Sequence, residues 1–377
     1  MKADITIKTP SRSYPLFAAH PFPADAFRYM IGQAEPDKLF LIIDEQVRAH
    51  HGEALRQTLG DRVSDDRIFV VPSGEQSKSI DSWKRITDFM LKGEVRRNSM
   101  VVAAGGGVTG DLAGFAAATT LRGLPLVHIP TTLLAMVDSS IGGKTGVNHE
   151  VGKNLVGSFF QPEAIFIHTH SLSTLPRNEW VNGLSEILKY GAIRDPSIFM
   201  TCEELFGGGE IPDPSDPKLV ELIRKCAKIK ADVVEEDEKE SGLRMILNFG
   251  HTFAHALERL GNYRLISHGE AVFAGMIAAT RLSAHLGAAP ELETLTGFSP
   301  LYNIHPDVFD FDIDDLIDAM GYDKKRTSSQ LKLVLLHDWG APYVTELENL
   351  EPIREAWQYT FDLFTTSNRT QADHNPG

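Results

Sequence analysis

Two hydrophobic periodicities divide this chain. In its first half, short continuous apolar runs alternate with stretches where apolar residues recur at helical spacing; after about Leu175-Pro176 only the helical period remains. Lys38 to Ile43 (KLFLII), Arg67 to Val71 (RIFVV), Ser99 to Ala104 (SMVVAA), Leu124 to Ile129 and Ala164 to Ile167 read as strands buried on both faces. Between them, Gln46 to Leu59 and WKRITDFMLKG read as helices. Such alternation predicts an α/β domain on a parallel sheet, with ligands at the carboxyl ends of its strands. From Arg177 onward, NEWVNGLSEILKYGAI, LVELIRKCAKIKADVVEEDEKE, LRMILNFGHTFAHALERLG and HGEAVFAGMIAATRLSAHLG predict a mostly α-helical second domain. The expected division is therefore 1–176 and 177–377, which suits a chain of 377 residues, longer than one core normally supports. Gly207 to Lys218 reads as a loop, and the polar tail TSNRTQADHNPG is expected to fray.

The strand ending at Ala104 runs into Gly105-Gly106-Gly107-Val108-Thr109-Gly110-Asp111, and LAGFAAAT then has the small-residue composition of a closely packed helix. Glycines there let the backbone approach a ligand, and the free N–H groups of a helix N-terminus favour an anion such as a pyrophosphate. Asp44 closes an earlier strand and could accept a ribose hydroxyl, or could simply cap a turn. In the common dinucleotide fingerprint the glycine loop comes before the acid; here the order is reversed, which implies a dinucleotide fold other than the standard one.

Charge narrows the partners. With 37 Lys+Arg against 51 Asp+Glu the formal charge is −14, which argues against broad attraction to nucleic acid or to an anionic membrane. Cys202 and Cys226 are too few for a disulfide framework or a thiolate zinc cage. The start MKADITIKTPSRSYP lacks a secretory core, and no apolar run reaches the ~18 residues of a membrane span. A soluble, cytoplasmic protein is expected.

Against this acidic background the basic residues Arg122, Lys144, Lys153, Lys189, Lys230, Arg244, Lys324 and Lys325 stand in or near Gly, Asn or Asp positions. Gly142-Gly143-Lys144 and Gly152-Lys153-Asn154 place ammonium groups on glycine loops, suited to phosphate or carboxylate. The substrate is expected to be a small anion. Metal chemistry is suggested by Glu186, His251, His255 and His268: two imidazoles and a carboxylate with an open position make a catalytic zinc site. His251 and His255, four apart, share a helix face, but spacing alone does not choose two of the three histidines.

The runs GGGVTGDLAGFAAATTLRG, IPTTLLAMVDSSIGGKTGVN, GKNLVGSFFQP, TLPRNEWVNGLSEILKYG, DEKESGLRMILNFGHTFAHALE and HGEAVFAGM closely resemble the 3-dehydroquinate synthase family of sugar-phosphate cyclases, over about residues 38 to 340. The resemblance implies an NAD-dependent, zinc- or cobalt-dependent lyase of the shikimate pathway, which turns the heptulosonate phosphate DAHP into 3-dehydroquinate and phosphate. It also implies a homodimer. Metal ligands become Glu186, His251 and His268, while His255 moves to the substrate side. Substrate contacts are Arg122, Asp138, Lys144, Asn154, Lys189, Lys230, Arg244, Asn248, His255 and a lysine of Asp323-Lys324-Lys325, taken as Lys324. Of these His255, Lys144, Asn154, Lys189, Arg244 and Lys230 are assigned to catalysis, His255 as proton relay. Cofactor contacts are Asp44, Glu75, Lys78, Gly106, Gly107, Val108, Asp111, Thr131, Thr132, Leu134, Asp138, Lys153 and Thr174.

Three rivals compete with this expectation. A cyclase of the same superfamily could act on sedoheptulose 7-phosphate or on an amino analogue of DAHP. An iron-type polyol dehydrogenase shares the order of acid, glycine turn and helical metal domain, but its neutral substrates leave Lys144, Lys189, Lys230 and Arg244 without purpose. A non-catalytic dinucleotide-binding regulator would not need the metal residues.

Overall fold

A computed structural model describes residues 2–288, 290–321 and 331–372. Its strands are β1 (Ile5–Lys8), β2 (Ser13–Ala19), β3 (Leu39–Asp44), β4 (Ile68–Val71), β5 (Met100–Gly105), β6 (Leu126–Pro130), β7 (Lys144–His149), β8 (Gly152–Phe159), β9 (Ala164–His168), β10 (Leu331–Asp338) and β11 (Ala341–Leu347). Its helices are α1 (Ala24–Ala34), α2 (Glu45–Leu59), α3 (Ile80–Lys92), α4 (Gly107–Thr119), α5 (Arg177–Ile193), α6 (Ser197–Phe206), α7 (Pro217–Glu236), α8 (His251–Leu260), α9 (His268–His285), α10 (Glu293–Thr296), α11 (Ile313–Ala319) and α12 (Glu351–Ala372). All five strands expected from the apolar runs are present.

Two compact units result: Met1–Trp180 with Pro212–Lys239, and Val181–Ile211 with Glu240–Gly377. Where the sequence suggests one cut after residue 176, the chain crosses three times. The reason is α7, which packs against β1 and against the Ala135–Ser139 turn and so brings Lys230 into the first unit.

The first unit is built on a sheet of order β1-β2-β9-β6-β5-β3-β4, parallel except for the β1–β2 hairpin. Successive residues of β3 and β5 point to opposite faces, and both faces are covered. Leu39, Leu41, Ile43, Val102 and Ala104 join Phe27, Ile31, Leu55 and Leu59 of α1 and α2. Phe40, Ile42, Val101 and Ala103 join Ile86, Met90, Leu112 and Ala113 of α3 and α4. The helices after β3 and β5 thus lie on opposite faces, and the crevice between the carboxyl ends of those two strands is a topological switch point. Ile43 pairs with Ala104, so the next residues, Asp44 and Gly105, stand side by side despite their separation in sequence.

Several expectations change. Lys144 and Lys153, read as standing on glycine loops, lie instead in the antiparallel β7–β8 hairpin, whose glycines hide the strand pattern. The run LRMILNFGHTFAHALERLG is not one helix: a 3₁₀ segment, Leu243–Asn248, is separated from α8 by Gly250 at φ 78°, a left-handed conformation that a side chain would strain. The second unit is mostly helical but carries the β10–β11 hairpin. The tail expected to fray continues α12 to Ala372. Among the described residues no helix is long and apolar enough to cross a membrane.

Candidate active site

In the second unit, Glu186 on α5, His251 at the start of α8 and His268 at the start of α9 bring one ligand atom each within 4.8 Å of one another, as the one such group among the described residues. His251 Nε2 lies 3.4 Å and His268 Nε2 3.5 Å from Glu186 Oε1. Close helix contact makes this possible. Gly269 packs so tightly on α5 that a Cβ there would come within 2.3 Å of Asn182 Cα. Its N–H donates to Asn182 Oδ1 at 3.1 Å, and Ser185 Oγ donates to its carbonyl at 2.7 Å. The Ser267–Glu270 capping box then fixes where α9 begins, and His268 with it.

The electrostatics suit a cation. Glu186 is 1% exposed and paired with Lys189, one turn on. Burial alone would raise its pKa; Lys189, His251 and His268 outweigh burial and hold it well below the usual carboxylate range. Burial likewise opposes charge on His268, yet bonds to Glu186 and Glu258 push its pKa up to about 10. These carboxylates hold a proton on the ring, where a divalent metal would compete for the same place. Each ring also has its second nitrogen held, His251 Nδ1 3.2 Å from the Phe249 carbonyl and His268 Nδ1 3.4 Å from Glu258 Oε1. An N₂O set with anchored imidazoles fits zinc or cobalt.

His255 is exposed on α8, its ring centroid 5.7 Å from that of His251 and outside the ligand group. Arg244 is 1% exposed on the 3₁₀ segment, and nearby Asn248 donates to Glu240 Oε1 at 3.3 Å. Lys324 lies outside the described residues.

The first unit holds the nucleotide-type residues. Gly106 caps α4, and a Cβ on it would meet Thr132 Cγ2 at 2.9 Å. Gly105, Gly106, Gly107, Gly110, Ser139 and Ser140 line a small space here. The buried hydroxyls of Thr131, Ser139 and Ser140 have no hydrogen-bond partner. A bare helix N-terminus ringed by unspent donors fits a pyrophosphate. Asp44 turns out to cap α2: its Oδ1 accepts from Gln46 N at 2.8 Å and Val47 N at 3.3 Å. Its Oδ2 accepts only from Ser73 Oγ, at 3.0 Å, so capacity remains for a ribose hydroxyl beside the glycine turn. Thr174 Oγ1 meets His51 Nε2 at 2.7 Å.

Lys78, 6% exposed, donates to Asp111 Oδ2 at 2.5 Å and to Asn154 Oδ1 at 2.6 Å. Asn154, at φ 57°, donates its N–H to Asn148 Oδ1, and Asn148 Nδ2 donates to Glu75 Oε1 at 2.7 Å. Four residues assigned from the sequence are thereby linked through a fifth, Asn148, which was not assigned although it ends the quoted GGKTGVN run. Asp138 lies on a single π-helical turn, a common functional irregularity, and pairs with Lys230 Nζ at 2.8 Å.

Two residues stand apart. Lys144 is exposed and pairs with Phe159, at the other end of β8 from Asn154, about 16 Å along a strand. Arg122, exposed with φ 69°, follows the C-terminus of the 13-residue α4, about 20 Å from the glycine turn at its start.

The family descriptions 3-dehydroquinate synthase N-terminal and 3-dehydroquinate synthase C-terminal match residues 68–182 and 183–326. The 3-dehydroquinate synthase of Salinibacter ruber is 44% identical over 325 residues, 85% of this chain and 88% of that protein. The chain belongs to the 3-dehydroquinate synthase family. Solved cyclases share its fold. A 2-deoxy-scyllo-inosose synthase complexed with carbaglucose-6-phosphate, NAD⁺ and Co²⁺ is similar at TM-score 0.80 and 27% identity, covering 94% of this chain and 99% of that one. The 2-epi-5-epi-valiolone synthase of Streptomyces hygroscopicus subsp. jinggangensis 5008, with NAD⁺ and Zn²⁺ bound, is similar at TM-score 0.79 and 27% identity, covering 93% and 97%.

Proposed function

We propose that this member of the 3-dehydroquinate synthase family converts DAHP to 3-dehydroquinate and inorganic phosphate with NAD and a divalent metal. The observation that carries the reading is the Glu186, His251 and His268 group, formed by the three residues that the family resemblance names and that spacing alone could not select. NAD, held by the glycine turn and Asp44, supplies reversible oxidation at the substrate's C5 carbon, and a zinc or cobalt ion on the triad supplies a Lewis acid for the hydroxyl oxygens there.

The chain's own residues do the rest. Lys189, next to Glu186, and Arg244 are buried cations of the second unit suited to anionic substrate groups, because burial strengthens charge-assisted bonds. Asn248 adds a neutral donor. His255, exposed on α8 with its ring beside that of His251, is the proton relay of this reading. In the first unit Asp138 fixes the Lys230 ammonium, and Lys78 fixes the Asn154 amide oxygen, so these groups need little reorganisation to meet a ligand. Lys144, exposed on its hairpin, supplies a further cation for phosphate. Elimination of phosphate follows from the acidity of the carbon next to the transient C5 ketone, and the departing phosphate can take that proton itself.

A cytoplasmic homodimer is part of this reading. Cys202 and Cys226 are both buried and neither forms a disulfide, as suits a reducing compartment, and exposed Leu155 and Phe159 on β8 offer apolar surface to a second copy. Because the similar solved structures are cyclases of other sugars, a substrate panel separates the alternatives. With DAHP, amino-DAHP and sedoheptulose 7-phosphate, kcat/KM should be largest for DAHP; a larger value for either other sugar overturns the assignment.

A further inference from the structure

We propose that Glu258 is a positioning residue of the metal centre, its carboxylate holding His268 in the tautomer and orientation that a ligand needs. The inference rests on the metal reading above and goes one residue beyond it. An imidazole at the first position of a helix has a rotatable ring and two tautomers. Tying Nδ1–H to an acceptor leaves the Nε2 lone pair facing the ion and removes the alternative. Glu258 Oε1 sits 3.4 Å from His268 Nδ1, while the same ring's Nε2 is 3.5 Å from Glu186 Oε1.

Placement of Glu258 argues that this is its purpose. It lies seven residues after His251 on α8, two turns on along one face, so a single helix carries both a ligand and the support of another ligand. It is 5% exposed, on a helix whose other buried residues, Phe253, Ala254, Ala256 and Leu257, are all apolar, so an apolar residue there would be less costly. A buried carboxylate is stable only when its partners compensate lost hydration, and His268 is such a partner. His251 gains the equivalent support from the Phe249 carbonyl, so the two ligand rings are oriented alike by different acceptors, of which only Glu258 adds negative charge. That charge, close behind the ligand ring, should also strengthen the attraction of the site for a divalent cation.

The test is the Zn²⁺ dissociation constant of the full chain without substrate, measured by competition with a chromophoric chelator, for the parent, Glu258→Gln, Glu258→Ala and His268→Ala. The Co²⁺ visible spectrum of each serves as a second readout. His268→Ala should lose tight binding. Glu258→Ala should bind about 10- to 100-fold more weakly with a changed Co²⁺ spectrum, and Glu258→Gln, which keeps an acceptor without charge, should fall between Ala and the parent. If Glu258→Ala does not fold, the isosteric Gln variant decides by the same constant. Parent-like affinity in the Glu258 variants with loss in His268→Ala overturns this proposal alone; parent-like affinity in His268→Ala overturns the metal reading itself.

Discussion

Lys230 Nζ lies 2.8 Å from Asp138 Oδ2, so a helix inserted from after the first half of the chain closes an ion pair on the π-helical turn that follows β6. Lys230 is 6% exposed, while the Asp138 side chain keeps 22% of its exposure and is partly screened. Lys230→Met should therefore cost about 1–3 kcal/mol, less than a fully buried pair, with loss of turnover. Urea unfolding of Lys230→Met, Asp138→Asn and the double variant checks this. The double variant should be more stable than the summed single losses, and strict additivity would show that the pair is not coupled.

His251→Ala and His268→Ala should each lose bound metal and activity while NAD affinity stays near the parent value, since the glycine turn belongs to the other unit. His255→Ala should keep its metal and lose turnover. Elemental analysis beside NAD titration reads all three, and equal metal content in parent and His268→Ala would contradict the ligand assignment.

Asp44 has two tasks that separate experimentally. Asp44→Ala removes the cap of α2 and should cost about 1 kcal/mol, and it should also weaken NAD through the lost ribose contact. Asp44→Ser retains a capping oxygen, so it should recover the stability and not the affinity. Recovery of both would reduce Asp44 to a cap.

Strands β3, β4, β5, β6 and β9 were legible because apolar residues succeed one another along each and helices cover both faces of the sheet, which leaves apolar runs that no surface helix produces. What the pattern hides is closure through glycine. Gly146 and Gly157 sit opposite each other in β7 and β8, where a Cβ would meet backbone at 2.6 and 2.2 Å, and glycines at such positions interrupt the alternation that would reveal a strand. Gly250 breaks a run whose polar and apolar spacing continues smoothly through it. Spacing within one helix put His251 and His255 on one face but could not choose between the three histidines, because the carboxylate and His268 come from two other helices, held by contacts at Gly269 that no local pattern records. Family motifs supplied that selection. Glu258 went unnoticed because an acid in an amphipathic helix reads as solvated until its burial is seen.

Stability should fall on acidification through buried histidines of the first unit. Burial holds His128 neutral, its pKa down to about 4; burial, helped by His51, His170 and His20, brings His168 down to about 3. Unfolded histidines titrate near 6.5, so below that pH the unfolded chain binds more protons. The contribution is intact above about pH 6.5 and is lost as pH drops toward the folded values, by about 2 kcal/mol per histidine at pH 5. Both His168 nitrogens lack hydrogen-bond partners, so His168→Phe removes the titration without stranding one. Urea unfolding between pH 7.5 and pH 5 should show a shallower decline in that variant, and parallel declines would contradict the assignment.

The central claim is that this chain oxidises and re-reduces its substrate within one turnover. The most direct measurement supplies DAHP in excess, Zn²⁺ or Co²⁺, and NAD at a level comparable to the enzyme, and follows phosphate, dehydroquinate and NADH together. Phosphate and dehydroquinate should rise one for one through many turnovers of each NAD, with NADH never exceeding the enzyme concentration. NADH accumulating in step with product, or turnover that stops once the NAD present has been used, would contradict it.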